Sequence, residues 1–111
     1  MASTAEYVVI ETRDPFARAD MGASDALIDG LARGAATTVV LAQNAVLGAR
    51  GGSAPARALS DLASRARVVA DDFALRERGI RADELAPGIG VTTMDELVEL
   101  IAAPGRKVLW R

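Results

Sequence analysis

Short apolar runs alternate along the chain with segments whose apolar residues recur at helical spacing. The runs are rich in Val, Ile and Leu and end at polar or turn residues, which is typical of buried strands. They are EYVVIET (6–12), TTVVLA (37–42), RVVAD (67–71), a brief stretch at 89–91 and KVLW (107–110). The pattern therefore predicts five strands.

Helical segments lie between these runs. From Met21 to Arg33 the apolar residues follow helical spacing, and Gly34 stands where a helix often ends. A second helix is predicted after Pro55, because proline suits the first turn of a helix. Shorter helical turns are predicted at 45–49 and from Asp72 to a stop at Gly79.

The clearest helix is carried by TTMDELVELIAAPG (92–105). Thr93 and Glu96 have the spacing of a capping box, in which each side chain bonds the backbone N–H of the other residue. The apolar residues Met94, Leu97, Val98 and Ile101 fall on one face of this helix. We expect that face to pack on a sheet.

Apolar strands that alternate with amphipathic helices imply βαβ units, a parallel sheet and helices on both of its faces. In such sheets, ligands bind beyond the carboxyl ends of the strands. The polar residues at those ends are Thr12–Asp14, Gln43–Asn44 and Asp71–Asp72. The length of 111 residues predicts one domain covering residues 1–111.

Charge and composition disfavour several classes of protein. Thirteen basic and fifteen acidic residues give a net charge of −2, the basic residues are scattered, and only four residues are aromatic. Nucleic-acid binding is therefore not expected. The sequence has no apolar run long enough for a membrane span and no signal-peptide pattern, so a cytoplasmic location is predicted. The apolar share of 50% favours a surface buried by self-association.

The chain has no Cys and no His. Thiol nucleophiles, persulfides, disulfides, zinc sites with N or S ligands and histidine bases are all excluded. Any chemistry would have to use Asp, Glu, Ser, Thr, Tyr7, Lys107, Arg or an external cofactor, and no cofactor is predicted.

The acid pair Asp71 and Asp72 has two interpretations. Two carboxylates at a strand end could converge on one Mg²⁺ ion. Alternatively, one Asp caps the following helix and the other complements the helix dipole, and we favour this structural interpretation. No metal site is therefore predicted.

Arg13, Asp14 and Asn44 follow the first two strands. Arg13 could bind an anion or remain solvated beside the turn, and Asn44 could bind a ligand or cap the next turn. The loop GARGGSAP (48–55) could cradle a phosphate, but it lacks the P-loop spacing, which favours a simple glycine turn.

The order of these segments resembles the DsrE/DsrF/DsrH-like (DsrEFH) superfamily of small bacterial sulfur-relay proteins, which includes the Tus proteins of tRNA thiolation. YVVIETRDPF and TTVVLAQNAVLGAR carry the resemblance, and VVADDFALRERGIRADELAPGIGVTTMDELVELI carries it most specifically. The resemblance implies a three-layer α/β/α fold with a mainly parallel five-stranded sheet. It also implies homo-oligomers, as dimers, trimers or hexamers, and a protein partner in a sulfur-relay system.

In active members of that superfamily, a cysteine at the end of the third strand carries persulfide sulfur. Ala70 corresponds to that cysteine, so this chain cannot carry sulfur by that route. Asn44 also replaces the acidic residue that is often found at its position.

The leading hypothesis is a non-catalytic DsrE-like protein, an oligomeric binding or scaffold subunit linked to sulfur metabolism. The alternative is a small-molecule or anion-binding module. Its pocket would lie at the strand ends and is predicted to comprise Arg13, Asp14, Asn44, Ala70, Asp71 and Asp72. A metal-assisted hydrolase using Asp71 and Asp72 is the third and least favoured hypothesis.

Overall fold

A computed structural model describes residues 6–17, 28, 30, 32, 33 and 35–111. It contains a five-stranded sheet built from β1 (Glu6–Glu11), β2 (Ala36–Leu41), β3 (Arg67–Asp71), β4 (Ile89–Thr92) and β5 (Arg106–Trp110). All five strands come from the apolar runs of the sequence, with ends that shift by at most one residue.

The strands are arranged in the order β4-β3-β2-β1-β5 and every neighbouring pair is parallel. The sheet is therefore entirely parallel, where the sequence predicts a mainly parallel one. Because all strands point the same way, their carboxyl ends lie along one edge of the layer. From β1 the chain proceeds through β2 and β3 to β4 at one side of the sheet. The connection after β4 then crosses back to β5, which lies at the other side, next to β1.

One face of the sheet is covered by α1 (Ala54–Leu62), α2 (Asp72–Glu77) and a 3-10 helix at Gln43–Ala49. A second, short 3-10 helix follows at Ala82–Glu84. The buried residues of this first face form one cluster. From the strands it includes Val9, Val39, Leu41, Val68 and Ala70, and from the helices Val46, Ala56, Leu62, Ala74 and Leu75.

The opposite face is covered by α3 (Met94–Ala102). Leu97 and Leu100 of α3 pack on the strand residues of this second face, which are Val8, Ile10, Val40 and Val69. The sheet therefore separates two helical layers, and the predicted three-layer α/β/α arrangement is confirmed. Side chains alternate between the two clusters along each strand, as the strand geometry requires.

The ends of the helices follow the capping signals of the sequence. Ser53 caps α1 by accepting a hydrogen bond from the Ala56 N–H at 3.1 Å, and Pro55 occupies the first turn. Gly79, with φ of +66°, follows the end of α2 in the left-handed conformation that glycine tolerates.

The capping box at the start of α3 is confirmed. The Glu96 N–H donates to Thr93 Oγ1 at 3.2 Å, and the Thr93 N–H donates to Glu96 Oε1 at 3.3 Å.

Replacing Thr93 by Ala should lower the free energy of unfolding by about 1 kcal/mol, because the first turn loses a partner for one of its N–H groups. Urea denaturation would measure the change. Thr93→Ser keeps the hydroxyl and should stay close to the parent chain.

The predicted apolar face of this last helix is only partly buried. Leu97 is buried and Ile101 is half-buried, but Met94 and Val98 are 57% and 56% exposed. The apolar stripe is therefore wider than the surface that the sheet covers.

The helix predicted from Met21 to Arg33 lies largely outside the described residues, as does its predicted end at Gly34. Within that segment, Ile28, Gly30, Ala32 and Arg33 are helical. The helix predicted after Pro55 is α1, which ends at Leu62, and a turn at 63–65 leads into β3.

Candidate functional site

A buried carboxylate lies at the carboxyl end of β1. Glu11 is 4% exposed, and its Oε1 is 3.0 Å from the guanidinium Nε of Arg13. The Arg13 backbone N–H also donates to the same oxygen at 3.4 Å. Arg111 approaches the other oxygen of Glu11, with its Nε at 3.9 Å. The carboxylate is thus held between two guanidinium groups.

Arg111 is fixed beside β1 by its backbone. Its N–H donates to the Ile10 carbonyl at 2.8 Å, and its carbonyl accepts from the Thr12 N–H at 2.9 Å and from the Thr12 hydroxyl at 2.7 Å. The ladder between β1 and β5 therefore continues past the last strand residue and sets the position of the second arginine.

A cavity of about 740 Å³ opens beside Glu11 and Arg13, between the carboxyl half of β1 and β2 and the helix α1. Its size is that of pockets for small organic molecules, which are mostly apolar with a few polar groups. Its apolar lining includes Pro15, Phe16, Ile28, Val39, Leu41, Pro55, Ala58, Leu59 and Leu62.

The polar lining of this cavity consists of two ion pairs. Glu11 and Arg13 form the inner pair, and Asp61 and Arg65 of the segment around α1 form the outer pair, with Arg65 Nη1 at 3.4 Å from Asp61 Oδ2. In each pair the guanidinium faces a carboxylate, so the charge of the lining is balanced. In the inner pair Glu11 is buried and Arg13 is partly buried, whereas both side chains of the outer pair are exposed.

Asn44 lies away from this cavity and is bound to another residue. Its Oδ1 accepts hydrogen bonds from the Arg78 guanidinium at 2.9 Å and 3.2 Å, and Arg78 also donates to the Ala74 carbonyl at 3.1 Å. The neighbouring Gln43 has φ of +49°, which non-glycine residues seldom adopt. The Asn44–Arg78 contact joins the 3-10 helix to α2.

The acid pair adopts the structural role that the sequence favours. Asp71 is the N-cap of α2, where its Oδ2 accepts from the Ala74 N–H at 3.3 Å. Asp72 lies in the first turn, and its Oδ1 is 3.9 Å from Nη2 of Arg76. Asp71 is only 8% exposed, and no described residue bonds its Oδ1. Among the described residues, no three potential metal ligands cluster together.

Ala70 is enclosed in the core of the first face. It lies within β3, which continues to Asp71, and it is 0% exposed. Its strand partners are Leu41 and Val91. Because side chains alternate along β3, the one at position 70 points into the first core. Its assignment to a binding pocket stays a prediction.

A cysteine introduced at position 70 should be unreactive in the folded protein. We expect Ala70→Cys to react with a thiol reagent more than about a hundredfold more slowly in buffer than in urea, because labelling needs an opening of the core. Ala82→Cys, at an exposed position, serves as the control and should react at similar rates in both. Equal rates for the two variants in buffer would contradict the assigned burial.

Two of the residues predicted as one pocket line different cavities. Arg13 lines the large cavity, while Asp72 lines a shallower one of about 380 Å³ beside α2. Asp14 forms a turn in which its Oδ1 accepts from the Phe16 N–H at 2.9 Å. Whether any of these residues bind a ligand stays a prediction.

The glycine loop after the 3-10 helix is bonded to the chain on its far side. The Gly51 N–H donates to the Glu84 carbonyl and the Ala86 N–H donates to the Ala49 carbonyl, both at 2.9 Å. Gly52, with φ of +97°, makes the turn, which agrees with the interpretation as a glycine turn. Among the described residues, no helix is long and apolar enough to cross a membrane.

Two solved structures share this arrangement of strands and helices. The ychN protein from E. coli matches with a TM-score of 0.83 and 20% identity, over 97% of this chain and 100% of that one. The protein of unknown function MTH1491 from Methanobacterium thermoautotrophicum matches with a TM-score of 0.75 and 20% identity, over 96% and 99%.

The chain therefore shares the fold of these two proteins, a five-stranded parallel sheet between two helical layers. No family model matches the sequence, and no curated protein matches it either. At 20% identity these two structures establish the fold and leave the activity open.

Sequence reasoning missed Glu11, the residue that organises the cavity. The signal was present: a carboxylate ends an apolar strand and an arginine follows two residues later. A charged residue at that position of a parallel strand is buried and needs a partner. No short sequence pattern indicates that residues of α1 line the same cavity as Glu11 and Arg13.

Proposed function

We propose that this protein is a non-catalytic, homo-oligomeric binding subunit with a DsrEFH-like fold. Its ligand is a small, mostly apolar molecule that carries one neutral polar group. The cavity beside Glu11 and Arg13 is the observation that supports this proposal.

The lining determines the chemistry of the ligand. Apolar side chains from β1, β2 and α1 form most of the wall, so the body of the ligand is apolar. Arg13 can donate a hydrogen bond and Glu11 can accept one. A neutral group that both donates and accepts, such as a primary amide, fits this pair better than an anion, because the charge of Arg13 is already balanced at 3.0 Å by Glu11.

The non-catalytic part of the proposal rests on the side-chain inventory. With no Cys and no His, the chain has no thiolate to accept sulfur and no imidazole base. The fully buried Ala70 occupies the position that the resemblance assigns to the sulfur-carrying cysteine. A partner in sulfur metabolism and a cytoplasmic location stay predictions.

Calorimetric titration with indole-3-carboxamide and indole-3-carboxylate tests the site, because the two probes share a shape and differ in charge. We expect the amide to bind at least about tenfold more tightly, since the carboxylate would face Glu11. Arg13→Ala should weaken binding of the amide. Asn44→Ala, which changes a polar residue outside the cavity, is the matched control and should leave its affinity unchanged.

Two results would overturn this assignment. One is an affinity for the amide that survives Arg13→Ala. The other is a loss of affinity in Asn44→Ala at unchanged stability, which would move the site to the 3-10 helix and α2.

Self-association is proposed from the distribution of exposed apolar side chains. Met94, Val98 and Trp110 are 57%, 56% and 68% exposed, although each is large and apolar. Exposed apolar groups that lie together mark a surface that another molecule covers. Light scattering at micromolar concentration should give more than one chain per particle, and a strict monomer would contradict the proposal.

A further inference from the structure

We propose that β5 is the dimer interface, where it pairs antiparallel with β5 of a second copy about a two-fold axis at Val108. This inference rests on the homo-oligomeric state proposed above and is independent of the ligand cavity. It follows from the free side of β5, from the apolar side chains beside it and from the order of residues along it.

The outer side of β5 presents backbone groups that no described strand pairs. β5 is the last strand of the sheet and pairs only with β1 among the described strands. The N–H and C=O of Arg111 both bond to the β1 segment. Because these groups alternate in direction along a strand, those of Arg106, Val108 and Trp110 point away from β1. Such an edge is a template for another strand.

The order of these three residues is self-complementary. If Val108 pairs with Val108 of the partner subunit, then Arg106 and Trp110 of each copy pair with Trp110 and Arg106 of the other. Every outward N–H and C=O of the three residues then has a partner. An axis one residue earlier would place Trp110 opposite Pro104, which has no N–H to donate. The axis at Val108 therefore forms more backbone hydrogen bonds between the two strands.

The side chains agree with the same register. Arg106, Val108 and Trp110 lie on the second face, since their strand partners there are Glu6, Val8 and Ile10. Each Trp110 would therefore lie against Arg106 of the opposite copy, a pair that a cation–π contact stabilises. The position of the Arg106 guanidinium is fixed by two contacts within its own chain. Its Nε is 2.8 Å from Glu6 Oε2, and its Nη1 is 2.9 Å from the Leu100 carbonyl oxygen.

Lys107 does not oppose this pairing. It lies on the first face, where the same register places it opposite Leu109 and not opposite another Lys107. Its ammonium group is 6.0 Å from the centre of the Tyr7 ring in its own chain. Two copies therefore meet without a direct contact between like charges.

The exposed flank of α3 lies on the same side of the molecule. The helix crosses the second face from β4 to β5, and a right-handed crossover with these residue positions turns Met94 and Val98 toward β5. Together with Trp110 they form one apolar border along the edge. The two-fold axis places the apolar borders of both copies on either side of the same interface. Because each β5 edge is then paired, no third chain can add at this edge.

The natural absence of cysteine gives a direct test. Val108→Cys places the only thiol of each chain on the two-fold axis, where paired Cα atoms lie about 5.5 Å apart. We expect a short bis-maleimide or mild oxidation to link most of this variant into covalent dimers. Ala82→Cys, exposed on a distant part of the chain, is the control and should stay mostly unlinked.

A second variant tests the pair across the interface. Trp110→Arg places two guanidinium groups together and should raise the dimer dissociation constant at least about tenfold, as measured by light scattering on dilution. Trp110→Phe keeps an aromatic face and should retain the dimer. Phe73→Arg changes another exposed aromatic residue outside the edge and should also retain it.

The outcomes separate this interface from the proposed function. A monomeric parent chain overturns the interface and the oligomeric state, while ligand binding in the cavity is judged by its own titration. An oligomer whose Val108→Cys variant does not link, or whose Trp110→Arg variant dissociates no more readily than the parent, overturns the interface alone.

Discussion

Replacing Glu11 by Leu will lower the free energy of unfolding by about 2 kcal/mol or more. Glu11 is 4% exposed and lies between Arg13 and Arg111. Without its carboxylate, two partly buried guanidinium groups remain close together and lose their shared counter-charge. Removal of one partner from a fully buried pair costs about 3–5 kcal/mol, and the partial exposure of the arginines reduces that cost here.

Urea denaturation of matched variants measures this effect. Glu77→Leu is the control, because Glu77 is exposed and its contact with Arg78 is 4.0 Å long. Its stability should remain within about 0.5 kcal/mol of the parent. The double variant Glu11→Leu with Arg13→Leu should lose less than the sum of the single losses. Equal losses in Glu11→Leu and Glu77→Leu would show that the inner ion pair has no structural role.

Replacing Ala58 by Trp will weaken binding of the amide probe more than about tenfold at nearly unchanged stability. Ala58 lies on the exposed side of α1 and lines the cavity, so an indole ring there fills the space that the ligand needs. We expect the dissociation constant of indole-3-carboxamide to rise more than about tenfold in calorimetric titration, a loss of at least about 1.4 kcal/mol of binding free energy.

Arg57→Trp is the matched control for this variant. Arg57 is also exposed on α1 but does not belong to the described lining of the cavity. The probe should bind this variant as it binds the parent chain. If Ala58→Trp binds the amide with parental affinity, the ligand lies elsewhere.

The sheet could be predicted from the sequence because parallel strands are buried on both faces. Val8, Val9 and Ile10 are apolar in succession, and the structure divides them between two cores. The ends of α3 were also predictable, because the bond between Thr93 and Glu96 is local. Both predictions agree with the structure because each depends only on residues that are close together in the chain.

The site was less predictable because it depends on contacts between distant segments. Arg13 was identified from its place after β1, but Arg111, the second arginine beside Glu11, comes from the far end of the described chain. Asn44 was predicted either to bind a ligand or to cap the next turn, yet Arg78, from beyond α2, binds its side chain. No local pattern reports which of two arginines will meet a carboxylate or an amide.

Ala70 and α3 show two further limits of a sequence pattern. A shift of one position along β3 moves a side chain to the opposite face, so a resemblance accurate to one residue cannot say whether position 70 is accessible. The helical period of α3 identifies its apolar residues, but it does not report how much of that surface the sheet covers. Val98 is therefore exposed although it belongs to the predicted face.

Chemical-shift mapping with indole-3-carboxamide on the ¹⁵N-labelled protein tests the central claim most directly. A ligand in the cavity should shift the backbone amides of Arg13, Phe16 and Leu59, which line it, and leave Asp71 and Asp72 nearly unchanged. Saturable shifts confined to the cavity are the result that we predict. Shifts centred on Asn44, Asp71 and Asp72, or no saturable shifts at all, would contradict the claim that this cavity is the binding site.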